Sequence, residues 1–449
     1  MKRRLQDFGK IYVALLLCFV SLLIVLVSGM WKAQPQQRWQ QDSELLVWGR
    51  IDESQREGIF SKGGLLRGYS SLGEDYMIAP ELYVQEKLPA EADSLYCRQS
   101  GAQGTFFTLI AIVVENTVGR QYVPEAIWGI NSVLFVWVML LLSWWLFHEF
   151  GWGAALGSIS CIVLCPWATK SMANAYWVIW TMLLPMIITA FMGYSINASG
   201  KSANKLKWYL ILFFGIFLRF LCGYEFMTTI MIASEIPIFF YFLKSKHKEE
   251  RKQWFIVAFI VGCIEIFAFA LSLGVTVLQI SSLPDTTVMQ GIESILSAIK
   301  YRTGAFVEQQ DMQQYAQVLV DALEKGRREV VKDYLASSEK LWLTLSIGGI
   351  CKCWLASVAV RFLVYALCEK KWREAGWNFI LQGLILCLSL MAAVSWYYLA
   401  SAHAAVHPYI DYVIMQIPFV PIAMAFSFQN LACFNRFRGL QKGANKYIG

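Results

Sequence analysis

The chain has 449 residues, of which 57% are hydrophobic and 16% charged, and a formal net charge of +7. Soluble domains are usually about 45–50% apolar and about 25% charged. The composition therefore excludes a disordered chain, a coiled coil, a collagen and a small disulfide scaffold, argues against a water-soluble enzyme, and leaves an all-α polytopic membrane protein.

Lys2, Arg3, Arg4 and Lys10 precede an apolar run from Ile11 to Met30. Residues 1–30 read as a retained first transmembrane anchor, because the run is longer than the apolar region of a secretory signal. A polar segment, 31–125, follows. Nine more apolar runs lie near 126–147, 153–170, 177–196, 208–224, 226–243, 254–280, 341–366, 377–400 and 412–430. Each is close to the ~20 residues that cross a bilayer. The expected architecture is a helix bundle of about ten spans. Spans two to seven occupy 126–280, a second polar segment 281–340, spans eight to ten 341–430, and a basic tail 431–449.

Lys and Arg gather in 197–207, 244–253, 367–375 and the tail, whereas the short turns on the other side hold only Lys170. This asymmetry places both termini in the cytoplasm and both long segments outside, in a multi-pass protein of the cell membrane. Basic residues so distributed mark a topological side, so no nucleic-acid partner is expected. Of the 11 cysteines only Cys97 lies in a long polar segment, which excludes a disulfide framework.

The two long segments contain juxtamembrane helices. Thr105–Val114 is apolar but too short to span. Ile292, Ile295, Leu296 and Ile299 recur at i, i+3, i+4 and i+7, the pattern of an amphipathic helix on the bundle or the membrane surface.

Four groups of residues can carry chemistry. Asp52 and Glu53 are adjacent in the first segment, where an acid can deprotonate an acceptor hydroxyl; two acids in a solvated loop are also ordinary surface charge. Gln99 and Gln103 lie among glycines in a stretch that suits a ligand-binding turn or a plain one. The string from Leu218 to Glu225 supplies Arg219, Tyr224 and Glu225. A guanidinium at that depth suits phosphate, or a structural bridge to Glu225. His403 and His407, at i and i+4, suit hydrogen bonds to phosphate or sugar, or proton transfer. No Glu follows His403 as in a zinc-protease helix, so a divalent metal stays an open option without a ligand set. Glu235, Glu265, Lys352 and Arg361 fall inside apolar runs, with Lys352 a candidate partner of the two acids. They read as a structural polar network, or as the machinery of a proton-coupled transporter. No phosphate-binding P-loop and no G-x-S-x-G is present, and the cytoplasmic loops are too short for a nucleotide-sugar domain.

An acidic pair in the first outer loop followed by an amphipathic segment, here Asp52-Glu53 with Arg56-Glu57 one turn on, resembles the GT-C superfamily of membrane glycosyltransferases. The short helix at Thr105–Val114 and the histidine-bearing turn near the last spans are further points of similarity, and the resemblance is best over roughly residues 1–200. It implies a polyprenyl-phosphate sugar donor, a glycan, lipid or protein acceptor, contact with membrane lipids, and inverting transfer on the extracytoplasmic face. Asp52 or Glu53 would be the base, Arg219 would hold the donor phosphate, and His403 and His407 would assist. The tight Asp-Glu-x-Arg-Tyr string of better-known members is absent, which leaves open which acid is the base. A glycan polymerase or ligase, a flippase or transporter of lipid-linked sugar, and a non-catalytic partner are the alternatives.

Overall fold

The computed structural model describes residues 40–69, 78–89, 94–199, 204–304, 324–365 and 372–433. The expected first span and nearly all of the basic tail lie outside the described residues.

A polar unit comes first. It comprises α1 (Gln41–Glu57), β1 (Leu66–Gly68), α2 (Ala79–Val84), β2 (Ser94–Tyr96) and α3 (Ala102–Thr117). The strands pair antiparallel, with Leu66 opposite Tyr96 and Gly68 opposite Ser94. The helix expected at Thr105–Val114 is thus three residues longer at each end, and it packs on α1.

The bundle follows: α4 (Val123–Phe150), α5 (Trp152–Leu164), α6 (Pro166–Ser171), α7 (Trp180–Ser199), α8 (Lys205–Cys222), α9 (Met227–Lys244) and α10 (Lys248–Ser281). Next come α11 (Val288–Thr303), α12 (Arg327–Ala336), α13 (Ile347–Val364), α14 (Trp372–Leu399), α15 (Ser401–Val406), α16 (Pro408–Asp411) and α17 (Phe419–Ala432). Seven helical stretches are long and apolar enough to cross a membrane: Arg120–Phe150, Trp180–Ser199, Met227–Lys244, Lys248–Ser281, Ile347–Val364, Trp372–Leu399 and Tyr412–Ala432. Large apolar side chains such as Phe255, Phe259, Phe267 and Leu384 are exposed on their flanks, as hydrocarbon contact requires.

Two expected spans differ. The run 153–170 is not one helix. Pro166 lacks an N–H and forces Cys165 into extended backbone, so α5 ends at Leu164 and a short α6 begins. The run 208–224 forms helix α8, which carries Lys205, Lys207 and Arg219 and is not among the seven apolar stretches.

Helix α5 crosses α17 closely because it presents Gly153 and Gly157 on one face. A Cβ on Gly153 would lie 2.6 Å from the Phe428 carbonyl oxygen, and one on Gly157 would strike the Met424 main chain.

The polar unit caps one end of the bundle. The 34 residues of α10 run about 51 Å, well beyond a ~30 Å hydrocarbon core. At its C-terminal end Gln279 Nε2 donates to the carbonyls of Gly63 (2.9 Å) and Ser100 (3.1 Å). At the other end Lys244 pairs with Glu149, beside the basic start of α10. The cap and this basic loop therefore sit at opposite ends. Helix α11 returns along α10 from a capping box at Thr287 and Gln290, burying Ile295 while exposing Ile292, Leu296 and Ile299.

Candidate functional site

The turn between α8 and α9 holds the centre of the site. A Cβ on Gly223 would lie 2.7 Å from both Gln99 Oε1 and Glu225 Oε2, so a larger residue there would displace both side chains. Arg219, buried in the last turn of α8, donates through Nη2 to the Glu225 carbonyl at 3.1 Å. The expected side-chain bridge between Arg219 and Glu225 does not form. The Glu225 carboxylate turns instead to Arg302 of α11, whose Nη2 lies 2.6 Å from Oε1. Burial opposes ionisation of Glu225, but the Arg302 guanidinium outweighs it and holds the carboxyl below the usual range. Arg302 responds in kind: burial lowers it, and Glu225 more than restores it.

Gln99 and Gln103 join the same cluster. Tyr176 OH donates to Gln99 Oε1 (3.3 Å), and Gln103 Nε2 donates to the Tyr176 carbonyl (3.1 Å). Gln99 Nε2, Gln103 Oε1 and Arg219 Nε are buried without a hydrogen-bond partner. Such groups are rare in folded proteins and mark places where water or a ligand is held. Tyr224 is pinned to α10, its hydroxyl donating to the Ser272 carbonyl (2.9 Å) and lying 2.5 Å from Thr276 Oγ1.

Beside this cluster lies a cavity of about 300 Å³. Its wall is mostly apolar, built from Met227, Phe269, Leu273, Ile295 and Trp396 among others, and it includes Tyr224. Arg98, Arg302 and Arg327 also line it. Arg98 and Arg327 are exposed and rest over the rings of Tyr301 (5.2 Å) and Tyr398 (5.7 Å). An apolar chamber carrying three guanidiniums suits an amphiphile with an anionic head.

His403 and His407 stand behind one wall. Their ring centroids are 4.7 Å apart, and the His403 ring is 5.6 Å from that of Trp396. Burial, and then His403, push the His407 imidazole down to about 4. Among the described residues no group of three or more His, Cys, Asp or Glu is arranged to hold a metal ion.

Asp52 and Glu53 are in helix α1, not in a solvated loop, and both are buried. Asp52 pairs with Arg56 (2.7 Å) and Arg120 (3.4 Å). Glu53 pairs with Arg67 of β1 and accepts from the Ser61 hydroxyl (3.4 Å). Neither lines the cavity. The two acids therefore face different arginines, and Asp52 is the less buried of the two.

Among the described residues Glu235 and Glu265 meet no base. Lys352 is exposed on α13 and pairs with neither Glu235 nor Glu265; the Ser234 hydroxyl bonds the Glu265 carboxylate instead. Arg361 does join a polar network, donating to Asn430 Oδ1 (3.0 Å), which also accepts from Gln382 (3.1 Å).

Four residues at or beside the cavity were missed in the sequence: Arg98, Arg302, Arg327 and Asp411. Arg302 continues the stripe of Ile295 and Ile299, and Asp411 extends the His403, His407 spacing by a further four residues. No family model matches the chain, and no curated protein or solved structure matches it.

Proposed function

We propose that the chain is an integral membrane glycosyltransferase of GT-C type, moving a sugar from a polyprenyl-phosphate donor to an acceptor hydroxyl on the extracytoplasmic face. The observation that carries this reading is the apolar cavity with Arg98, Arg302 and Arg327 on its wall. Hydrocarbon favours the chain of such a donor, and guanidiniums favour its phosphate. The cavity lies at the capped end of the bundle, away from the basic loop at Lys244, which agrees with an outer-facing site. The proposed topology has ten crossings with cytoplasmic termini.

In this reading Arg98 and Arg327 hold the donor phosphate, and Arg302 is held ready by Glu225. Arg219, Gln99 and Gln103 stand beside the cavity with unused hydrogen-bonding atoms. Asp52 acts from the cap as base on the acceptor. A glycan polymerase or ligase using the same donors is the second reading. It is favoured by the approach of Arg302 and Arg327 to the cavity from the later outer segments, with His403 behind Trp396, while Asp52 stands off the cavity.

The test is the surface-glycan mass profile of a deletion strain. Wild type supplied in trans is expected to restore a sugar-sized mass increment. An unchanged increment in the uncomplemented deletion rejects the transferase reading.

A further inference from the structure

Asp411 is a carboxylate beside the cavity that no arginine among the described residues neutralises. Its side chain is fully buried, and among the described residues no Arg or Lys pairs with it. One oxygen, Oδ2, accepts from Trp396 Nε1 at 3.0 Å and lies 3.3 Å from His403 Nδ1. The other, Oδ1, is buried without a partner. Isolated buried carboxylates are costly, so this one is held for what it does to its neighbours.

The surroundings fix its position. Tyr397 OH of α14 donates to the Asp411 carbonyl (3.2 Å). Tyr334 of α12 stacks on Tyr397 with centroids 3.8 Å apart and donates to the Ala404 carbonyl (2.8 Å). The titratable groups that face Asp411 are thus His403 and His407 on its own stretch, Tyr397 from α14, Tyr334 from α12 and the adjoining Tyr412. Trp396 is shared: its indole N–H belongs to Asp411, and its ring lines the cavity.

We infer that Asp411 is the positioning residue of a proton-accepting His403, and that this dyad serves the acceptor side of the cavity behind Trp396. The inference rests on the transferase reading above. A carboxylate at Nδ1 keeps the ring proton on that nitrogen and leaves Nε2 with a lone pair. In transfer, the acceptor O–H proton passes to Nε2 as that oxygen bonds to the anomeric carbon of the sugar. The bond from that carbon to the donor phosphate oxygen breaks, and its electron pair leaves with the phosphate. His403 thus takes the proton in place of Asp52, which orients the acceptor from the cap.

The chain has only four histidines, which makes the test direct. Isotope-labelled histidine NMR spectra of the detergent-solubilised full chain, assigned with His403→Gln and His407→Gln, read the ring tautomers without any substrate. Wild type is expected to carry Nδ1–H on His403 at neutral pH, and Asp411→Asn to move the proton to Nε2. With polyprenyl-phosphate sugars extracted from source membranes as donor, Asp411→Asn should lose roughly 10²–10⁴-fold in turnover. Asp411→Glu, which keeps the carboxylate, should recover part of it and the Nδ1–H signal. An unchanged His403 tautomer in Asp411→Asn overturns the inference, as does a changed tautomer with undiminished turnover. Wild type that turns over no lipid-linked sugar, with the tautomers as expected, instead removes the transferase reading and the proton-accepting role with it.

Discussion

Replacing Arg302 with alanine is expected to destabilise the protein by about 3–5 kcal/mol, the usual cost of stranding one member of a buried ion pair. Glu225 is 4% exposed, and Arg302 is its side-chain ion-pair partner. Arg219, the other guanidinium nearby, is committed to the Glu225 main chain. Glu225→Gln combined with Arg302→Met removes both charges and should recover most of the loss. The pH dependence separates the variants. In wild type the Glu225 carboxyl is held below its ordinary value, so its stabilisation is present above about pH 4.3 and is lost as pH falls through the folded value. Without Arg302, burial, which raises the carboxyl, is opposed only by the Glu225 main-chain N–H and by Arg219. The single variant should therefore gain stability on mild acidification, where wild type gains none. Thermal unfolding of the detergent-purified protein across this range reads both effects. Equal stability of Arg302→Ala and wild type would show that the pair holds nothing.

Asp52→Asn and Glu53→Gln, one residue apart, are expected to fail in different ways. Asp52 sits between Arg56 and Arg120, and Arg56 is more than one-third exposed. Losing the carboxylate there leaves arginines that water can still reach, so the protein should fold and accumulate normally. Transfer should fall by roughly 10²–10⁴-fold, the contribution of a positioned acid or base. Glu53 faces Arg67, which is itself nearly sealed, with Arg50 behind it at 4.0 Å. Glu53→Gln removes the carboxylate that both buried guanidiniums face and should lower membrane levels of the protein. Quantitative blots beside glycan mass profiles distinguish loss of function from loss of protein. Full transfer by Asp52→Asn at matched levels removes the first-loop acid from the mechanism.

The apolar skeleton was legible because bilayer thickness imposes a length that few other structures share. Seven of the expected spans appear as helices within a few residues of their predicted bounds. Shorter features were harder. Helix α5 stops early because of Pro166, a local signal that the hydropathy of the run concealed. The site was legible in part. Gln99, Gln103, Arg219, Tyr224 and Glu225 stood out as polar residues at apolar boundaries, and they do converge. Their pairing was not legible. Arg302 reaches Glu225 from 77 positions away, and nothing in the spacing of 218–225 announces it. Asp411 was hidden for a related reason. A lone acid beside an apolar run looks like a boundary residue until Trp396 and His403 are seen to converge on it.

The most direct test of the account is native mass spectrometry of the purified full chain, wild type beside Arg98→Ala/Arg327→Ala. Both arginines are exposed on the cavity wall and among the described residues form no ion pair, so the double variant should fold as wild type does. Charge-assisted hydrogen bonds of about 1.5–3 kcal/mol each predict a loss of at least tenfold in retained lipid phosphate per arginine. Wild type is expected to carry a polyprenyl-phosphate mass that the double variant lacks. A wild type that carries no lipid phosphate when supplied with it, or a double variant that carries as much, would contradict the account.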